Sequence, residues 1–178
     1  MKKIFTLILA ALAFAGCGLM DGDTAVSYDF IHSGCAKTTK AGMYDADSEL
    51  RLTYTPEGLL VTRKNAEVNC AVKQDGLECK VSVEANTIGY RVCQKSDVSA
   101  NCLCLVEEMS STVTGLVEGS EYTIYYWCED ERPLVPISFT FDKNLNLIID
   151  TDLYMAELVE IEDGVWTFDV PYWREPHM

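Results

Sequence analysis

Glu67-Val68-Asn69-Cys70-Ala71-Val72-Lys73-Gln74-Asp75-Gly76-Leu77-Glu78-Cys79-Lys80-Val81-Ser82-Val83-Glu84 reads as two strands around a turn. Leu77, Cys79, Val81 and Val83 fall on one face of an extended chain, and Glu78, Lys80, Ser82 and Glu84 fall on the other. Side chains of a strand alternate between its two faces, so this pattern marks a half-buried strand. Val68, Cys70 and Val72 alternate with Glu67, Asn69 and Lys73 in the same way. Asp75-Gly76 between the runs predicts a hairpin, because the turns that join antiparallel strands need positive φ. A two-residue loop there sets Cys70 opposite Val81 and Cys79 opposite Val72.

The same period extends outward along the chain. Leu50 to Tyr54 and Leu59 to Thr62 flank the turn Thr55-Pro56-Glu57-Gly58. Further strands are expected over 87–93, 103–114, 122–128, 135–141 and 145–150, with Trp166, Phe168 and Val170 adding one near the C-terminus. The stretch from Leu153 to Glu162 has room for a short helix; helical periodicity of useful length is otherwise missing after residue 30. Short strands with regular turn signals predict an all-β fold, an antiparallel sandwich or barrel. No repeat or Pro/Ser-rich linker divides the chain, so a single domain over 45–178 is expected.

Thr114-Gly115-Leu116-Val117-Glu118-Gly119-Ser120-Glu121-Tyr122-Thr123-Ile124 narrows the class. It resembles the E–F corner of fibronectin type III and other immunoglobulin-like domains, with Glu118 where fibronectin modules often carry proline. The resemblance implies an immunoglobulin-like β-sandwich. Leu116 would close one strand, and Tyr122 would open the next with its ring in the core and its hydroxyl on backbone across the turn.

The N-terminus carries an address. Met1-Lys2-Lys3 is a short positive segment, and Ile4 to Ala15 is an apolar run. A membrane-spanning helix needs roughly 20 apolar residues, so this run reads as a secretory signal over 1–16. Phe14-Ala15-Gly16-Cys17 resembles the lipobox of bacterial lipoproteins, with Phe14 where leucine is usual. In that family the cysteine is acylated and the preceding peptide is removed. Residues 17–44 would then be the lipidated Cys17 and a tether or irregular segment, and attachment to the membrane would rest on the acyl chains. Gly18 after the cysteine is not the aspartate that resembles an inner-membrane retention signal in enteric bacteria, so the outer membrane is the expected location. The lipobox, the Asn69-Cys70 strand, the Asn101-Cys102-Leu103-Cys104-Leu105 run and the Gly115-Leu116 to Ile124 segment together resemble small lipoproteins of Bacteroidetes-type bacteria. That resemblance implies a β-sandwich in the cell envelope and implies no activity.

The formal net charge is −14, from 28 acidic and 14 basic side chains. No basic stripe exists to neutralise phosphates, which argues against nucleic acid as a partner. A chain of this length with 8 cysteines belongs to an oxidising compartment. Setting Cys17 aside leaves Cys35, Cys70, Cys79, Cys93, Cys102, Cys104 and Cys128 as disulfide or thiol candidates, an odd number. Cys102 and Cys104 would share one strand face about 7 Å apart, so a regular strand gives them separate partners. A Cys93–Cys102 or Cys93–Cys104 bond would close a short loop, worth about 2–3 kcal/mol in the chain-entropy account. Metal binding or thiol redox chemistry by these cysteines is the alternative function. Its spacing signal is weak: there is no CxxC, and His32 and His177 are isolated.

No catalytic constellation stands out. G-x-G-x-x-G, G-x-S-x-G and H-E-x-x-H are absent, no cofactor is called for, and the carboxylates are explained by a solvated acidic surface. Asp142-Lys143-Asn144-Leu145-Asn146 begins like a calcium loop but lacks the glycine and glutamate that complete one, and reads as a hairpin turn. Glu129-Asp130-Glu131 reads as a hydrated charge run. With Tyr122, Ile124, Tyr126 and Cys128 facing the core, Thr123, Tyr125 and Trp127 face outward. Two large aromatics on one face make Tyr125 and Trp127 a candidate platform for a glycan or an envelope protein, unless Trp166, Phe168, Tyr172 and Trp173 cover them. The expected function is a non-enzymatic, lipid-anchored envelope module.

Overall fold

Period-two patterning becomes strand nearly everywhere it occurs. The computed structural model describes residues 27–39, 47–72, 76–95, 98–128, 131–162 and 165–168. Among the described residues there are twelve strands and no helix. They are β1 (Ser27–His32), β2 (Cys35–Thr39), β3 (Glu49–Thr55), β4 (Gly58–Asn69), β5 (Leu77–Glu84), β6 (Thr87–Gln94), β7 (Leu103–Val113), β8 (Glu121–Cys128), β9 (Ile137–Thr140), β10 (Asn146–Asp150), β11 (Leu158–Glu162) and β12 (Val165–Phe168). The first sheet runs β1-β7-β4-β3-β10, with β2 also on β7; the second runs β5-β6-β8-β9; β11 and β12 form a separate hairpin.

The two larger sheets share one core. Leu50, Leu52, Leu59, Val61 and Val68 of the first sheet and Val81, Ile88, Val92, Ile124 and Tyr126 of the second belong to a single buried cluster. This is the layered arrangement of a β-sandwich, in which each sheet buries one apolar face.

Several expectations need correction. The strands before and after Asp75-Gly76 do not form a hairpin: β4 pairs with β3 and β7, whereas β5 pairs with β6. The chain changes sheets between them, so Cys79 lies opposite Val92 rather than Val72. The two expected strands at 59–62 and 68–72 are mostly one, the 12-residue β4. Asn65 at φ 54° divides its pattern. Leu59, Val61 and Arg63 point inward before it, and Ala66 and Val68 after it. β7 makes the matching shift, with Met109, Ser111 and Val113 inward on one side and Val106 and Cys104 on the other.

The second sheet is mixed rather than wholly antiparallel, because β6 and β8 are parallel. Between them the chain crosses into the first sheet as β7, which returns it to the end where β6 began. The 17–44 segment is not irregular throughout: β1 and β2 both pair with β7. No helix forms over 153–162; Leu158–Glu162 is β11. Asp142 to Asn146 is a turn, with Asp142 Oδ1 accepting the Asn144 N–H at 2.7 Å. It links β9 to β10 across the two sheets and is therefore no hairpin.

The β3–β4 turn follows its sequence. Thr55 and Gly58 pair across Pro56-Glu57, and the Thr55 hydroxyl donates to the Gly58 carbonyl at 2.8 Å. Gly58 sits so close to β7 that a Cβ would come within 2.3 Å of the Val113 carbonyl oxygen, a contact only glycine avoids.

Candidate functional site

β8 organises the site. Tyr122, Ile124, Tyr126 and Cys128 are buried in the core, and Thr123, Tyr125 and Trp127 occupy the opposite face, half-buried. Parallel pairing sets Gly89 beside Tyr125 and Arg91 beside Trp127. The Arg91 guanidinium carbon stands 4.3 Å from the centre of the Trp127 ring, a cation–π contact. The Trp127 indole N–H donates to the Glu131 carbonyl at 3.0 Å. Trp127 is thus held from both sides. The cover expected from Tyr172 and Trp173 falls outside the described residues; Trp166 and Phe168 lie in β12.

The corner before β8 is built from Leu116 to Tyr122. Ser120 N–H bonds the Val117 carbonyl at 3.1 Å, closing a turn with Gly119 at φ 86°. Positive φ at that position calls for glycine. The Tyr122 hydroxyl accepts the Val117 N–H at 2.9 Å while its ring lies in the core beside Phe139. Leu116 lies beyond the end of β7 rather than closing it, and packs half-buried against the core.

On the same outward face, at the start of β8, a cleft of about 380 Å³ lies between Asn86, Glu121, Thr123, Ser138 and Thr140, floored by Tyr122 and Phe139. β9 supplies one wall, with Thr123 opposite Ser138 and Glu121 opposite Thr140. The Thr123 and Ser138 hydroxyls are 3.0 Å apart and bond each other. The Asn86 side-chain N–H donates to the Glu121 carbonyl at 2.7 Å.

Sequence reasoning missed a polar cluster in the core. Arg63 Nη2 donates to Glu131 Oε1 at 2.7 Å, and the Glu67 backbone N–H donates to the same oxygen at 2.9 Å. Arg63 is 1% exposed and the Glu131 side chain 11%, so Glu131 is no hydrated charge. Glu129 and Asp130 lie outside the described residues. Burial pushes the Glu131 carboxyl above the usual carboxylate range, with Arg63 opposing that shift. Tyr126, a neutral phenol whose ionised form Arg63 would favour, stacks on Tyr90 with ring centres 5.4 Å apart. The Tyr90 hydroxyl bonds the Ser111 hydroxyl at 2.6 Å across the two sheets. Burial pushes both phenols well above the ordinary tyrosine value, and neighbouring thiols add to it: chiefly Cys79 at Tyr90 and Cys128 at Tyr126.

The cysteines separate into two states. Cys35 bonds Cys104, fixing β2 on β7, and Cys70 bonds Cys102, fixing the end of β4 to the start of β7. Cys102 and Cys104 take separate partners, and neither is Cys93, so the short-loop pairings do not form. Cys79 and Cys128 keep their thiols, flanking Val92 in one row of the second sheet. Among the described residues no three His, Cys, Asp or Glu side chains converge as ligands for a metal ion. Asn69 supports the Cys70–Cys102 bond: its side-chain N–H donates to the Ala100 carbonyl at 2.8 Å, and its carbonyl accepts the Ala100 and Ala71 N–H groups.

No protein-family model, curated protein or solved structure matches the chain.

Proposed function

We propose that the chain is a lipid-anchored module of a bacterial outer membrane, acylated at Cys17, with an immunoglobulin-like sandwich that binds a glycan or an envelope protein without catalysing a reaction. The observation that carries the binding reading is the outward face of β8. Tyr125 and Trp127 lie on that face, and Arg91 and the Glu131 carbonyl hold Trp127 in one orientation. Aromatic rings fixed on a rigid strand contribute contact area with little ordering cost. The lipobox resemblance, the acidic charge and the paired cysteines support an extracytoplasmic setting, where disulfides persist.

A glycan array and a pull-down from envelope extract, comparing the full wild-type chain with Tyr125→Ala/Trp127→Ala, test this reading. Binding is expected for wild type and lost in the double variant. Equal binding by both would remove the β8 face as the site.

A further inference from the structure

We propose that the cleft at the start of β8 is a subsite for an uncharged sugar, held through its hydroxyl groups. The proposal deepens the glycan reading above and places the sugar end beside the Tyr125/Trp127 face rather than on it. The cleft's chemistry is one-sided. Thr123, Ser138 and Thr140 contribute hydroxyls, Asn86 an amide and Glu121 a carboxylate, and among the described residues no lysine or arginine lines the space.

Hydroxyls both donate and accept, which suits a ligand whose own hydroxyls do the same. The Thr123–Ser138 hydrogen bond consumes one O–H and leaves the other hydrogen and both oxygens available, already oriented by two paired strands. Asn86 commits an N–H to the Glu121 carbonyl and keeps its own amide oxygen as an acceptor. Charge sets the class of sugar. An anionic glycan would meet the Glu121 carboxylate with no cation among the described lining residues to offset it, on a chain of net charge −14. The volume of about 380 Å³ lies within the range of small-molecule sites. Thr123 and Tyr125 are successive residues on one strand face, about 7 Å apart. One oligosaccharide can therefore run from the cleft to the aromatic rings.

The test uses the full chain on an array of immobilised neutral oligosaccharides and of uronate-, sialate- and sulfate-bearing ones. Wild type, Ser138→Ala/Thr140→Ala and Tyr125→Ala/Trp127→Ala are compared. Ser138 and Thr140 are exposed, so their truncation leaves the core intact. Retention is expected on neutral glycans only, weakened about tenfold by Ser138→Ala/Thr140→Ala, as loss of one or two hydrogen bonds requires. Unchanged affinity in Ser138→Ala/Thr140→Ala with loss in Tyr125→Ala/Trp127→Ala would overturn the cleft and leave the aromatic face standing. The reverse pattern would keep the cleft and remove the aromatic face. Preference for anionic glycans would overturn the subsite, and absence of any retention would overturn both readings.

Discussion

Tyr122 and Glu131 each accept a backbone N–H, and their substitutions separate a surface turn from a core pair. Tyr122→Phe removes the acceptor for the half-buried Val117 N–H, and a loss of about 1 kcal/mol is expected in urea unfolding. No measurable loss would mean the hydroxyl does not hold the turn. Glu131→Ala leaves the Arg63 guanidinium buried without its counter-charge, and about 3–5 kcal/mol should be lost. Glu131→Leu/Arg63→Met removes both charges and should recover most of that loss. Failure to recover would place the cost in packing rather than in charge. Tyr122 was legible because its motif fits within a few consecutive residues. Arg63 and Glu131 were not, because 68 positions separate them and each alone resembles a surface charge.

At the scale of elements, alternation located most strands but not their neighbours. A phase break at Asn65 made one long strand read as two, and it coincides with a similar break in the neighbouring β7. Asp75-Gly76 carried a hairpin signal in a place where the chain changes sheets, since turn chemistry is local and sheet membership is set by distant partners. Spacing did constrain the cysteines: two residues apart on one strand face, Cys102 and Cys104 were given separate partners, though not which ones. Peptide mapping after denaturation and alkylation without reductant should label Cys79 and Cys128 and leave Cys35, Cys70, Cys102 and Cys104 unlabelled. Labelling of any of those four would contradict the pairing.

For the whole molecule, two sheets close on a core that contains two phenols held well above their ordinary ionisation range. In the unfolded chain Tyr90 and Tyr126 lose their protons near pH 10, while the folded chain retains them. Their contribution to stability is therefore complete below about pH 10 and declines as pH rises further, by about 1.4 kcal/mol per unit for each phenol. Ultraviolet titration should show Tyr90 and Tyr126 ionising only with unfolding, with Tyr90→Phe and Tyr126→Phe assigning their signals; ionisation of either in the folded state would contradict its burial. The all-β class was legible from periodicity, whereas the parallel β6–β8 pair depends on a crossover that no local pattern encodes.

Fractionation of cells expressing wild type or Cys17→Ala gives the sharpest test of the proposed envelope anchor. Wild type should partition with the outer membrane and carry an acyl modification at Cys17, while Cys17→Ala should leave the membrane fraction. Equal membrane partitioning of the two proteins, or a wild-type chain without acyl modification, would contradict it.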